Sequence, residues 1–331
     1  MLEIRDLHVK FHNSNREAVG GVSYTIEDGE IQGLVGESGS GKTVTAMSIA
    51  GLLPRKQCSY SGQILLDGMD LLHADRNELR KIHGRHIGVV FQEPMSSMNP
   101  LMKVGHQVEE VLLLHTNMTA EERRRKAIET LDQVELNNPE EVYEKYPHEL
   151  SGGMRQRAMI AAAIIIRPKL LLLDEPTTAL DVTIQAQILD LLKEIQVKLG
   201  TATILVSHDL GVVARAADRV AIMYAGKIVE IGTAEEIYYD PRHPYTWGLM
   251  QSLPALNKGK AELKTIPGMP PTLIDPPVGD AFACRNEYAL EIDYHEQPPM
   301  FQISDTHFAA TWLLDPRAPK ITPPIGGKAN V

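Results

Sequence analysis

Eight consecutive residues, Gly36-Glu37-Ser38-Gly39-Ser40-Gly41-Lys42-Thr43, fit the pattern G-x-x-x-x-G-K-[ST], which cradles nucleotide phosphates. The glycines let backbone N–H groups turn inward around phosphate oxygens, and the helix that follows adds the positive end of its dipole. Lys42 then bridges the β- and γ-phosphates, and the Thr43 hydroxyl ligates Mg²⁺. A second group stands at Asp174-Glu175, behind the apolar run Leu170-Leu171-Leu172-Leu173. A buried strand there delivers Asp174 to the metal shell, while Glu175, just before Pro176, polarises the water that attacks the γ-phosphate. Without the Gly36 loop, two acids at a strand end read as solvated carboxylates; with it, they read as catalytic. A third segment, Leu150-Ser151-Gly152-Gly153-Met154-Arg155-Gln156-Arg157, sets Ser-Gly-Gly ahead of a helical pattern and makes another N-terminal anion cradle. Alone, Ser-Gly-Gly reads as a cap that ends a loop; beside the other two groups it gives one chain two phosphate sites.

These groups need strands and helices in a particular order. Residues 31–35 are short and β-prone, a Gly-rich turn follows, and 43–53 reads as a helix, which is a βα unit. Residues 87–91, 170–173 and 204–206 are apolar enough to be covered on both faces of a parallel sheet, so the core is α/β. Between 87–91 and 170–173, Thr119-Ala120-Glu121-Glu122 is a capping box opening a helix with Ile128, Leu131 and Val134 on one face. The run Arg123-Arg124-Arg125-Lys126 on that helix reads as a solvated face. Composition then shifts: 14 of the 21 prolines fall in the last 91 residues, which disfavours long helices and central strands there. The expected division is an ATP-binding core with a β subdomain over 1–92 and 159–240, a helical subdomain carrying the Ser-Gly-Gly segment over 93–158, and a loop-rich extension over 241–331 that packs against the core or a partner.

Composition narrows the classes. At 331 residues the chain has room for about two compact units. Its formal net charge of −10 offers no general positive field for a nucleic-acid backbone. The longest strictly apolar run, 158–166, is fenced by Arg157 and Arg167 and is far shorter than the ~20 residues a membrane-spanning helix needs. The first residues, Met1-Leu2-Glu3-Ile4-Arg5-Asp6, mix charge signs unlike a signal peptide, so the chain is expected to stay on the cytoplasmic side. Two isolated cysteines, Cys58 and Cys284, give neither a disulfide framework nor paired metal-ligand spacing.

The Leu150 to Arg157 segment is similar to the signature of ATP-binding-cassette proteins, and Ser151 lies 23 residues before Asp174 as in that family. The resemblance implies a P-loop NTPase (RecA-like) core with an N-terminal antiparallel β subdomain, a helical signature subdomain and a Pro-rich, loop-dominated C-terminal extension. It also implies roles. Gln92 resembles the glutamine that senses the metal, with Thr43 and Asp174 as its co-ligands, and transmits to the membrane partner. Ala179-Leu180-Asp181 looks like the D-loop, and His208 like the switch histidine that contacts the γ-phosphate. Ser151, Gly152, Gly153 and Gln156 would serve the nucleotide of a partner cassette. Phe11 sits where the family stacks a ring on adenine, with core packing of an early strand as the rival reading.

Phe91-Gln92-Glu93-Pro94-Met95-Ser96-Ser97-Met98-Asn99-Pro100 and Arg242-His243-Pro244-Tyr245-Thr246 resemble the oligopeptide and dipeptide permease branch. That implies an ATP-hydrolysing importer subunit for oligopeptides, peripheral on the cytoplasmic face of the membrane. Its partners would be a second cassette (a copy or, as is usual in the branch, a paralogue), two transmembrane permease subunits and an extracytoplasmic peptide-binding protein. Met95, Met98 and Met102 read equally well as an adaptable docking groove or as gap-filling core. Many relatives carry four cysteines that hold an iron-sulfur cluster in the extension; here the corresponding residues are Asp280, Asn286, Asp293 and Thr311, so the expected cofactors are ATP and Mg²⁺ with no cluster. Alternatives are an importer of the same branch for dipeptides, nickel or another small solute, and a soluble non-transport cassette ATPase. A GTPase is disfavoured because Asn257-Lys258-Gly259-Lys260 ends in Lys where guanine recognition needs an acid.

Overall fold

A computed structural model describes residues 1–92, 97–178, 180–253, 265–271 and 277–325. Met95, Ala179 and the 257–260 segment lie outside the described residues. The strands, in chain order, are β1 (Leu2–Phe11), β2 (Glu17–Ile26), β3 (Ile31–Val35), β4 (Cys58–Leu66), β5 (Met69–Asp70), β6 (Ile87–Val90), β7 (Leu170–Asp174), β8 (Ala202–Ser207), β9 (Arg219–Tyr224), β10 (Lys227–Thr233), β11 (Phe301–Gln302) and β12 (Phe308–Ala309). The chain forms two compact units, one of Met1–Leu2, Ile26–Ile31 and Leu65–Val206, the other of Glu3–Thr25, Gln32–Ile64 and Ser207–Val331.

The first unit holds the parallel strands β6, β7 and β8, with Val90 opposite Leu173 and Asp174 opposite Val206. Every residue of β7 and β8 is buried, as expected of strands covered on both faces. The helix Val182–Leu199 buries Ile188, Leu191, Leu192 and Ile195, a three-four spacing that makes one apolar stripe. Helices Val104–His115, Ala120–Gln133 and Pro139–Glu144 occupy the region expected to be helical. The Thr119 capping box is formed, and Leu131 and Val134 are buried. In the basic run, Arg124 pairs with Glu144 at 2.8 Å and lies over the Tyr143 ring, while Lys126 pairs with Glu129. The helix Gly152–Ile164 buries Ala158, Ile160, Ala161 and Ile164.

In the second unit the sheet order is β11-β12-β10-β9-β3, with β3 and β9 parallel and β9, β10, β12 and β11 antiparallel in turn. The strand order β2-β1-β4 builds the antiparallel subdomain. The described part of the extension has one eight-residue helix, Pro244–Gln251, several 3₁₀ turns and the two-residue strands β11 and β12, as its prolines require. It packs on β10. Glu230 of β10 is fully buried and accepts from the backbone N–H of Arg242 (2.6 Å) and of His243 (3.1 Å) and from His307 Nε2 (2.8 Å). Trp247 Nε1 donates to the Pro241 carbonyl, closing the start of the helix.

Candidate nucleotide site

The phosphate loop lies between β3 and the helix Lys42–Ile49, where the pattern needs it. Its glycines answer different demands. Gly36 is there for space: a Cβ would stand 2.2 Å from the Met223 carbonyl oxygen of β9. Gly39 instead has φ +79° with open surroundings, and so is there for its left-handed backbone. Lys42 is buried, and its Nζ donates to the carbonyls of Gly36 (2.7 Å) and Glu37 (3.0 Å). Thr43 is exposed at the first turn of the helix. Ser38 is exposed and Ser40 buried. Phe11, at the end of β1, is half-buried, and His208 is exposed just after β8. Asp209 next to it caps the helix Leu210–Ala216.

Glu37 is gripped from the extension. Its backbone N–H donates to Tyr245 Oη at 2.8 Å, and its carboxylate accepts Arg285 Nη1 at 2.6 Å and Nη2 at 3.0 Å. Burial raises the phenol pKa of Tyr245 and keeps it protonated. Sequence reasoning marked Arg242-His243-Pro244-Tyr245-Thr246 without a role and passed over Arg285. The only available signal was an arginine among Phe282, Cys284 and Asn286 in the extension.

Asp174 and Glu175 belong to the first unit. Asp174 ends β7 in a buried position, and the pairing with β8 continues as the Glu175 N–H donates to the Val206 carbonyl at 3.0 Å. Glu175 has φ +48°, a left-handed turn costly for a residue with a side chain. Its Oε2 accepts from Gln92 Nε2 at 3.0 Å and from Thr178 Oγ1 at 2.9 Å, which fixes the carboxylate. Thr43, Gln92 and Asp174 are all hard oxygen donors, the set Mg²⁺ takes.

Ser151 caps the helix Gly152–Ile164, its Oγ accepting from the Met154 N–H at 3.3 Å. Ser151 and Gly152 are exposed, and Gly153 lets the helix approach Ile184, whose Cγ2 would stand 2.9 Å from an added Cβ. Gln156 is only 1% exposed and its Nε2 has no hydrogen-bond partner among the described residues, so within this chain it lies beneath that surface. Asp181 caps the helix Val182–Leu199 through Thr183 and Ile184 and is itself exposed.

The model of the ABC transporter family matches residues 19–178, and that of the oligopeptide/dipeptide transporter C-terminal region matches residues 229–292. The oligopeptide transport ATP-binding protein OppD of Bacillus subtilis is 51% identical over 335 residues, covering 100% of this chain and 94% of that one. This chain belongs to the ABC transporter ATPases. The dipeptide transport ATP-binding protein DppD of Lactococcus lactis is 49% identical, with 98% of this chain and 93% of that one covered. Among solved structures, the ATP-binding cassette MJ0796, a dimer in a post-hydrolysis state with ADP and phosphate, is 30% identical at a TM-score of 0.63 and covers 71% of this chain and 99% of that one. As an ABC ATPase the chain binds and hydrolyses ATP, and the family match carries the cassette fold expected from the motifs. Among the described residues no helix is long and apolar enough to cross a membrane.

The four extension residues that stand in for cysteines are buried and engaged locally. Asp280 accepts from the Phe282 N–H (3.1 Å), Asn286 from Tyr288 (3.0 Å), Asp293 from Leu290 (2.6 Å) and Thr311 from Leu313 (3.3 Å).

Proposed function

We propose that this chain is the ATP-hydrolysing subunit of an importer that brings oligopeptides across the cytoplasmic membrane, working at its cytoplasmic face. The observation that carries this is the pairing, in one chain, of a complete cassette motif series with the permease-type C-terminal region, alongside full-length likeness to proteins named for oligopeptide transport. The likeness to proteins named for dipeptide transport supports a second reading in which the cargo is a dipeptide.

In this reading residues 36–43 hold the ATP phosphates, Lys42 taking the β- and γ-oxygens and Gly36, Gly39 and Gly41 bringing backbone N–H groups close. Thr43, Asp174 and Gln92 hold Mg²⁺, which neutralises phosphate charge when bound. Glu175, held by Gln92 and Thr178, orients and polarises the attacking water, and His208 contacts the γ-phosphate. Phe11 stacks on adenine. Ser151, Gly152 and Gly153 meet the nucleotide of a second cassette, with Gln156 supporting them from below and Asp181 facing the same interface; the dimeric form of MJ0796 supports such pairing. The division of labour follows 1–92 with 159–240 for ATP, 93–158 for the signature, and 241–331 for the extension. Exposed Phe91, Leu101 and Met102 favour a docking face for two permease subunits, served by an extracytoplasmic peptide-binding protein. The extension holds no iron-sulfur cluster.

Copurification from gently solubilised membranes tests the assembly: two permease subunits and a paralogous cassette should come down with this chain. ATPase activity of the reconstituted complex should rise with loaded peptide-binding protein. Recovery with ribosomes or DNA-repair proteins and no membrane subunit would overturn the reading.

A further inference from the structure

Glu37 is the second residue of the phosphate loop, and it carries a negative charge where an anion is to bind. Its carboxylate takes both arms of the Arg285 guanidinium, the bidentate geometry that makes arginine pairs strong and directional. Arg285 is itself immobilised. Its side chain is 5% exposed, its Nε donates to the Pro267 carbonyl at 2.8 Å, and Nη1 also reaches Tyr224 Oη at 3.2 Å. The guanidinium carbon lies 5.7 Å from the Tyr224 ring centre and 6.0 Å from that of Phe282. Tyr224, Tyr245 and Phe282 pack together with ring centres 4.7–5.3 Å apart. Tyr245 then holds the Glu37 backbone, and Lys42 holds its carbonyl. One loop residue is thus fixed through its N–H, its side chain and its carbonyl, the first two by residues of the extension.

We propose that Arg285 is a positioning residue for nucleotide binding: it cancels the charge of Glu37 and pins the phosphate loop, making ATP affinity depend on the docked extension. The inference rests on the reading of residues 36–43 as the ATP loop. Unpaired, the Glu37 carboxylate would repel the phosphates at short range, where water screens poorly, and the loop would lose its lateral support. A buried arginine without its carboxylate partner would be the converse defect.

The test uses the full-length chain with Mg-ATP affinity measured by calorimetry, and nucleotide-free thermal unfolding as the check on folding. Arg285→Met should weaken ATP binding about tenfold or more, a change that a single lost charge-assisted contact accounts for. Adding Glu37→Gln to Arg285→Met should restore affinity to within about threefold of wild type, because the uncompensated charge is gone. A merely structural arginine would give no such rescue. Wild-type affinity in Arg285→Met, or a double variant as weak as the single one, would overturn the proposal. Should Arg285→Met not fold, Arg285→Lys and Glu37→Asp carry the test. Each keeps its charge but spoils the fork, and each should weaken binding several-fold with unfolding unchanged; wild-type affinity in both would overturn the proposal. Lys42→Ala separates the two readings: if it binds ATP normally, the loop assignment itself has failed, whereas its loss beside unaffected Arg285 variants rejects only the role of Arg285.

Discussion

Replacing Gly36 by alanine puts a methyl group 2.2 Å from the Met223 carbonyl oxygen and 2.7 Å from Ser40 Oγ. Ser40 Oγ can rotate away; the carbonyl cannot, since β9 is held between β3 and β10 by ladder hydrogen bonds. Ordinary contact would need roughly 1 Å more room, so the loop has to yield, and overpacking of this kind costs about 1–3 kcal/mol. A shift of about 1 Å in groups that hold reacting phosphates costs on the order of 10²-fold in rate. Gly39→Ala is the control. Its φ of +79° makes alanine unfavourable by about 1 kcal/mol, but among the described residues no atom beyond its chain neighbours lies within 4 Å of the added carbon. We therefore expect Gly36→Ala to lower ATP turnover in the assembled transporter about 100-fold and to weaken Mg-ATP binding by the isolated chain, while Gly39→Ala costs less than about tenfold in either assay. If Gly39→Ala proved the more damaging, or Gly36→Ala stayed within threefold of wild type, the close approach would not be what limits the loop.

Lys42→Ala should abolish ATP binding, whereas Glu175→Gln should retain it and slow hydrolysis about 100-fold or more in a steady-state ATPase assay. Glu175 Oε2 accepts from Gln92 and Thr178, and the glutamine amide oxygen can accept from both in its place, so the variant should still fold. Ser151→Arg should leave this chain's own ATP affinity intact and cripple turnover at the partner cassette's nucleotide, checked by calorimetry on the isolated variant and by ATPase assay of the reconstituted complex. Glu230→Ala strands two backbone N–H groups and His307 inside the protein, so denaturant unfolding of the extension should be easier by about 3–5 kcal/mol. Burial lifts the Asp280 carboxyl to about 6, above its ordinary 3.8, so ionising it opposes folding as pH rises from about 4 to 6. Asp280→Asn keeps the acceptor for Phe282 and should stabilise the extension by up to about 3 kcal/mol at pH 8 but hardly at pH 4.

Those parts of the site set by local pattern were legible in the sequence. The strand at 31–35 is found with those bounds, and 170–173 lengthens by one residue to include Asp174, because its pairing with β8 continues to Val206. The helix after the loop is shorter than 43–53, ending at Ile49 where Gly51 takes φ +64°. What the pattern could not carry is contact between segments far apart in the chain. Arg285 meets Glu37 across 248 positions, and no periodicity announces an ion pair. The strands β11 and β12 are two residues long, too short to alternate visibly, and exist only because β10 offers them an edge. The buried amide of Gln156 likewise depends on packing that a motif does not encode.

The pairing of β12 with β10 sets what truncation can achieve. β12 hydrogen-bonds alongside Glu230 and Ile231, covering the outer edge of a strand whose side chains include Ile228, Val229 and Ile231. A chain cut at residue 240 would present that edge bare, with open backbone groups and apolar side chains ready to accept a strand from another molecule. The extension therefore shields a strand edge of its own chain. Shedding the segment would leave an adhesive edge on β10.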